Sequence, residues 1–334
     1  MSDKLLQLAW QVWNDEPGVA ASVARALATP AAALFRAGVA ARNTLYSKGV
    51  LPGERAAVPV ISVGNLRIGG SGKTPVAAWL LTQLLARGRR PALLHGGYAA
   101  DEPQLHARWH PDVPVFAARD RVASAKQAVS GGADVLVLDD GFQHRRLARD
   151  LDVVLVAAED ADNAMRLLPR GPWREPATAL GRAHVLMITR KSASVEQAER
   201  LMARLAPVAG DAITNVGVWL RPAGWRNGAG LSGPPTEVLV VAAIARPEPF
   251  LENVRQTGVR VLDSLWFRDH HEFDARDAER ILRAAGPHAI ATTAKDAIKL
   301  EKLIARERLY VLEQEVVVER GEPDLLRRLD EVLG

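Results

Sequence analysis

From residue 58 onward the chain alternates short apolar runs with amphipathic stretches. Residues 58–63, 91–94, 134–138, 153–158 and 185–189 are apolar, rich in β-branched side chains and bounded by turn residues or charges, which predicts buried strands. Between them, residues 76–87 carry a helical pattern closed by Gly88, residues 121–129 one closed by Gly131, and residues 195–205 a third. Strands alternating with helices imply a mostly parallel sheet covered on both faces, with ligands beyond the carboxyl ends of its strands.

The rhythm resumes at smaller scale after residue 236. Residues 237–245, 259–262 and 289–293 read as strands, and residues 247–257 and 275–285 as helices closed by Gly258 and Gly286. Residues 215–235 hold five glycines and three prolines and read as a crossing between domains. Residues 310–318 form a late strand that is expected to pair with residues 216–220. At the other end, residues 19–50 are alanine-rich, with Val23, Leu27, Ala31, Leu34, Phe35, Val39 and Leu45 at roughly helical spacing. Their charges, Arg25, Arg36, Arg42 and Lys48, are all positive. That pattern suits a helix lying on an anionic lipid surface, and equally a helix packed on its own domain. Pro30 is expected to break or bend it. The organisation read from these patterns is a helical segment over 1–50, a phosphate-binding domain over 51–214 and a smaller α/β domain over 215–334.

A length of 334 residues favours two domains, and 48% apolar with 25% charged residues is ordinary for a soluble globular protein. Without cysteine, disulfides and thiolate metal sites are excluded. The net charge of +4 comes from basic residues scattered among nearly as many acids, which argues against a nucleic-acid surface. No signal peptide and no run of some 18 apolar residues is visible.

Gly69, Gly70, Ser71, Gly72, Lys73 and Thr74 follow the first strand and open the first helix. A glycine turn there lets backbone N–H groups converge on a polyphosphate; Lys73 adds charge at the β/γ-phosphates, and the Thr74 hydroxyl suits Mg²⁺. These features predict a P-loop NTPase core that binds a nucleoside triphosphate. The usual first glycine is absent, Arg67 standing in its place. Asp139 and Asp140 end the strand 134–138, where carboxylates can hold Mg²⁺ or its water shell; a solvated turn would also carry them. A GTPase would want Asp-x-x-Gly and Asn-Lys-x-Asp, and neither spacing is present.

Further blocks occur in order along the chain. They are Gly64-Asn65-Leu66, Asp101-Glu102-Pro103, Arg119-Asp120-Arg121, Asp139-Asp140-Gly141-Phe142-Gln143-His144-Arg145, Leu167-Leu168-Pro169, Arg174-Glu175-Pro176, Asp269-His270-His271 and Thr292-Thr293-Ala294-Lys295-Asp296. With the glycine loop, they make the chain resemble the tetraacyldisaccharide 4'-kinases, the lipid A 4'-kinases of Gram-negative bacteria. The resemblance implies ATP- and Mg²⁺-dependent phosphorylation of an acylated glucosamine disaccharide 1-phosphate, by a peripheral protein at the cytoplasmic face of the inner membrane. It implies Lys73 and Asp101 as catalytic groups, Asp101 as base with His270 as its partner. It further implies acceptor contacts from Tyr98, Arg119, Arg121, Gln143, His144, Arg174 and Glu175, and a phosphate contact from Lys295. Read without it, His270-His271 is a surface turn or a metal pair. One block departs from the pattern: His95-Gly96-Gly97-Tyr98 stands where the family has Ser-Arg-Gly-Tyr, which keeps open a different glycolipid acceptor or a non-catalytic relative.

Overall fold

The computed structural model describes residues 3–97 and 100–334. Two helices, α1 (Asp3–Trp13) and α2 (Val19–Ser47), precede β1 (Val60–Asn65), α3 (Lys73–Ala86), β2 (Pro91–His95), α4 (Asp101–Trp109), β3 (Val115–Ala117), α5 (Arg121–Ser130), β4 (Val135–Asp139), β5 (Leu151–Ala157), β6 (Val185–Arg190) and α6 (Val195–Ala209). Then come β7 (Thr214–Asn227), β8 (Gly230–Ser232), β9 (Glu237–Ala242), α7 (Glu248–Gln256), β10 (Arg260–Trp266), α8 (Ala275–Ala285), β11 (Ala289–Thr292), α9 (Ala294–Leu300), β12 (Leu309–Arg320) and α10 (Glu322–Leu333).

The described strands form one sheet in the order β10-β9-β11-β12-β7-β6-β5-β1-β4-β2-β3, with β8 on β7. Every neighbouring pair is parallel except β7 with β12 and β7 with β8. Two parallel fans therefore run in opposite directions on either side of a long antiparallel ribbon. The first fan joins the beginning of β7, where Val185 to Arg190 pair with Thr214 to Trp219. The second joins the beginning of β12, where Ile290 pairs with Leu309 and Thr292 with Val311. Because Val311 lies opposite Arg226 and Val318 opposite Val218, those two beginnings sit at opposite ends of the ribbon. The carboxyl edges of the fans consequently face each other, and the cleft lies between them.

Residues 215–235, expected as an irregular crossing, are for the most part this central strand. Burial alternates along the first half of β7, as a strand inside a covered sheet requires. Pro222 and Gly224 fall where the register with β12 shifts between Glu313 and Gln314, and a bulge is where a sheet tolerates them. The pairing of residues 310–318 with 216–220 is present, with Val316 opposite Leu220. α2 runs unbroken past Pro30, which removes one intrahelical bond from alanine-rich turns that carry the helix through it.

Strands β1, β2, β4 and β5 are buried along their whole length. α3 and α10 cover one face of the first fan, with Val76, Leu80 and Leu84 meeting Leu325, Leu329 and Val218. On the other face α6 packs Leu201 and Leu205 against Leu186 and Ile188, its start fixed by a capping box between Ser194 and Gln197. The second fan has its own core, in which Val238, Val240, Phe250 and Val254 pack together.

Candidate active site

The loop after β1 has the shape a phosphate cradle needs. Gly69, Gly70 and Gly72 have φ of +69°, +74° and +81°, a region where a side chain is strained. A Cβ on Gly69 would lie 2.6 Å from the Ala245 Cβ, and one on Gly72 2.3 Å from Leu220 Cδ1. Ser71 is fixed from both sides: Asn65 Nδ2 donates to its Oγ at 2.6 Å, and Thr189 Oγ1 to its carbonyl at 2.9 Å. Lys191 Nζ donates to the Gly70 carbonyl at 3.0 Å. Burial pushes that ammonium below its ordinary value, and Arg246, Lys73 and Lys295 push the same way against Glu159. Arg67 needs no glycine conformation, since its backbone bridges to Trp173 in strand geometry and its side chain reaches Asp160.

Asp139 and Asp140, at the carboxyl end of β4, have different surroundings. Asp139 is buried and its Oδ2 lies 3.0 Å from His106 Nε2, while its Oδ1 makes no hydrogen bond. Burial alone would raise this carboxyl; the bond from His106, with the His106, His95 and Lys73 charges, holds it below the ordinary value. Asp140, at φ +56°, receives Arg174 in a fork at 2.8 and 3.0 Å, and Lys73 Nζ lies 3.6 Å from its Oδ1. Asp140, expected as a metal ligand, thus pairs with Lys73 and Arg174 in this structure.

Asp101 begins α4 beyond β2 and is 2% exposed. His270 Nδ1 lies 3.1 and 3.2 Å from its two oxygens, Lys299 Nζ donates to Oδ2 at 3.1 Å, and Lys295 Nζ is 3.9 Å away. Burial alone would raise the Asp101 carboxyl, but the His270 bond and the Lys295, His270 and Lys299 charges hold it well below the carboxylate range. Burial and the Lys295 charge lower His270, but the Asp101 bond with the Asp269 and Asp101 charges outweighs them, so its imidazole titrates above the ordinary value. It sits at φ +57°, its N–H bonded to the Ala243 carbonyl, which puts the ring on the wall of the cleft. Lys295 Nζ is 3.1 Å from the other ring nitrogen, Nε2. Around it, Thr293 caps α9, and the buried Asp296 accepts from Ala243 N and Thr293 Oγ1. The block 292–296 thus fixes the frame that carries Lys295.

The expected acceptor contacts divide. Arg174 lines the cleft. Gln143 and Glu175 instead join α2: Glu175, 2% exposed, accepts from Asn43, Arg182 and Gln143 at 2.8, 2.7 and 3.1 Å. Those bonds hold the Glu175 carboxyl low although burial alone would raise it. His144 is pushed down to about 4 by burial and by Arg121, Arg149, Arg146 and Arg42. Buried Arg121 donates to the Asp140 carbonyl at 2.9 Å, Arg119 is exposed, and Tyr98 lies outside the described residues. His95 is fully buried rather than reaching into the cleft. Its Nδ1 accepts from Gly97 N at 3.2 Å, and its Nε2 lies 3.0 Å from Glu102 Oε2.

The cleft measures about 530 Å³ and is lined by the glycine loop, Lys73, Thr74, Glu102, Asp140, Arg174, Lys191, Arg246, Asp269, His270 and Lys295. Those dimensions, the left-handed glycines and the surrounding cations fit a nucleoside triphosphate. Thr74 at the first turn and the unpaired Asp139 Oδ1 supply the hydroxyl and second-sphere carboxylate that Mg²⁺ takes beside phosphates; among the described residues no group of three or more acidic or imidazole side chains makes a site by itself. Sequence reasoning missed Lys191, Lys299, His106 and Arg246. None stands in a local motif, and each is recognisable only through a partner remote in sequence.

Comparison with known proteins agrees with this geometry. A family profile described as tetraacyldisaccharide-1-P 4'-kinase matches residues 24–100 and 99–334. A tetraacyldisaccharide 4'-kinase from Anaeromyxobacter sp. (strain K) is 38% identical over 98% of this chain and 96% of its own length. One from Halorhodospira halophila is 37% identical over 88% of this chain and 89% of its own. The structure of LpxK from Aquifex aeolicus in complex with ATP superposes with a TM-score of 0.73 at 28% identity, covering 93% of this chain and 99% of that one. The chain belongs to the tetraacyldisaccharide-1-P 4'-kinase family.

Proposed function

We propose that this protein transfers the γ-phosphoryl group of ATP to the 4'-hydroxyl of a tetraacyldisaccharide 1-phosphate, with the Asp101–His270 pair receiving the acceptor's proton. The single observation that carries the assignment of roles is the pair itself: a buried carboxylate beyond β2 bonded to an imidazole beyond β10, the imidazole lining the same cleft as the phosphate loop. Phosphoryl transfer asks for positioning and charge neutralisation more than covalent chemistry. Loop amides and Lys73 hold the nucleotide, and Arg174 with Lys295 supplies positive charge on either side. Thr74, with Asp139 behind a water shell, would hold Mg²⁺, which would supply further positive charge beside the phosphates. Asp101, kept ionised, fixes His270 through Nδ1, and the proton leaving the hydroxyl is shared by the two as one unit. The test is incubation with γ-labelled ATP, Mg²⁺ and the disaccharide, followed by detection of a labelled lipid. An unlabelled lipid with ATP bound would refute the assignment.

The acceptor's acyl chains suit a protein that works at a membrane surface. No helix among the described residues is long and apolar enough to cross one. α2 leaves Leu27 70% and Leu34 77% exposed, beside basic residues and no acid, which supports docking on anionic lipid at the cytoplasmic face of the inner membrane. Flotation with anionic vesicles should show binding that weakens with salt and on Arg36→Glu, by about 1 kcal/mol or more per reversed charge. Equal binding by that variant would refute the role of α2.

A further inference from the structure

Beside the glycine loop lies a cluster that the roles assigned above leave unexplained. Asp160, 1% exposed, ends the turn after β5, and two guanidiniums converge on its Oδ1: Arg67 from the phosphate loop and Arg246 at 3.1 Å from the loop after β9. Asn163 Nδ2 donates to the same oxygen at 3.2 Å, while Oδ2 is buried with no hydrogen bond. Two guanidiniums on one carboxylate leave a net positive charge. Burial pushes Arg67 below its ordinary value; Asp160 acts the other way, and the Arg246 charge adds to the lowering. Such a site is electrostatically incomplete and favours a second anion.

Arg246 is placed to meet that anion. Its side chain crosses Gly70 closely enough that a Cβ there would lie 3.1 Å from Arg246 Cδ, and it lines the cleft with Lys73, Thr74 and Lys295. It belongs to the second fan and therefore faces the loop from the side that carries His270. The loop amides and Lys73 approach a triphosphate from the first fan, so a guanidinium arriving from the opposite edge meets its γ end. Leaving Asp160 does not strand that carboxylate, because Arg67 remains on it.

We propose that Arg246 is a γ-phosphate contact delivered across the cleft: it rests on Asp160 without nucleotide and transfers to the terminal phosphate when a triphosphate fills the loop. This rests on the kinase reading above and adds a catalytic residue to it. A planar fork bound to two γ-oxygens neutralises charge that grows as the phosphoryl group departs, a role for which a lysine is a poor substitute.

The test compares wild type, Arg246→Ala and Arg246→Lys for binding of ADP and of a non-hydrolysable ATP analogue by calorimetry, alongside kcat on the disaccharide. The alanine variant should bind the analogue about tenfold or more weakly, keep its ADP affinity within about twofold, and lose kcat by roughly 10²–10³-fold; the lysine variant should fall between. Equal weakening toward ADP and analogue, or no change toward either, would overturn the proposal. Should the alanine variant fail to fold, as judged by melting, the lysine variant carries the same ADP-versus-analogue comparison. A wild type that discriminates the analogue from ADP but labels no lipid would fail the acceptor assignment while leaving the binding arm to decide on Arg246.

Discussion

Asp140 and Asp101 are both carboxylates held by cations at the edge of the same cleft, yet they are assembled differently. The partners of Asp140, Lys73 and Arg174, come from the first fan, as Asp140 does. Those of Asp101 are His270, Lys295 and Lys299, which are 169 positions or more away and come from the second fan. The phosphate loop and the cations on Asp140 therefore come from one half of the sheet, whereas the proton-handling pair exists only where the halves meet. Binding and turnover should separate along that line.

The largest effects test the division directly. Lys73→Ala should lower turnover on the order of 10²–10³-fold and weaken ATP binding with it, because its charge acts in ground and transition states alike. Asp101→Asn should depress turnover on a similar scale while the ATP dissociation constant stays within about threefold. Measuring both constants for both variants decides the matter; an Asp101→Asn protein that binds ATP as poorly as Lys73→Ala would break the comparison.

A second test uses pH. His270 is raised by its bond to Asp101, so if its neutral ring is the competent form, the acidic limb of kcat/KM lies above the ordinary imidazole value of about 6.5. In Asp101→Asn the raising contact is gone, while burial and Lys295 still lower the group, so the limb of the residual activity should move down in pH. A limb that stays in place would show that His270 does not report on Asp101. The smallest effect belongs to Lys299→Met, which keeps the buried stem and removes one of the cations on Asp101. Turnover should fall about three- to tenfold with ATP affinity unchanged, a change in transition-state stabilisation of roughly 1 kcal/mol.

The same asymmetry explains what could be read in the amino-acid sequence. β1 and β4 of the first fan are short, apolar and fully buried, and the glycine loop and Asp139-Asp140 lie at their carboxyl ends, so pattern and chemistry coincide. Residues 216–220 of β7 were legible as the partner of residues 310–318, but its second half was concealed because its proline and glycine serve a bulge that only the partner strand reveals. α9 is a seven-residue helix, too brief for a periodic signal. Lys299 and Lys191 look like any surface lysine until Asp101 and the Gly70 carbonyl are seen beside them. Gln143 and Glu175 were named by resemblance as acceptor contacts, and what the structure adds is that they bond to Arg42 and Asn43 of α2 respectively.

The helix α10 bears on how the protein is made. Leu325, Leu329 and Leu333 close the core under α3, and Arg87 Nε, just past the end of α3, reaches Asp330 Oδ1 at 2.7 Å across 243 positions. During synthesis the ribosome therefore emits the glycine loop long before the residues that seal the layer beneath it. Until α10 emerges, α3 exposes part of its apolar face, and the helix that carries Lys73 and Thr74 lacks its packing layer. A nascent chain arrested before residue 322 would carry every phosphate-binding side chain with the helix behind the glycine loop still uncovered, an intermediate for chaperones.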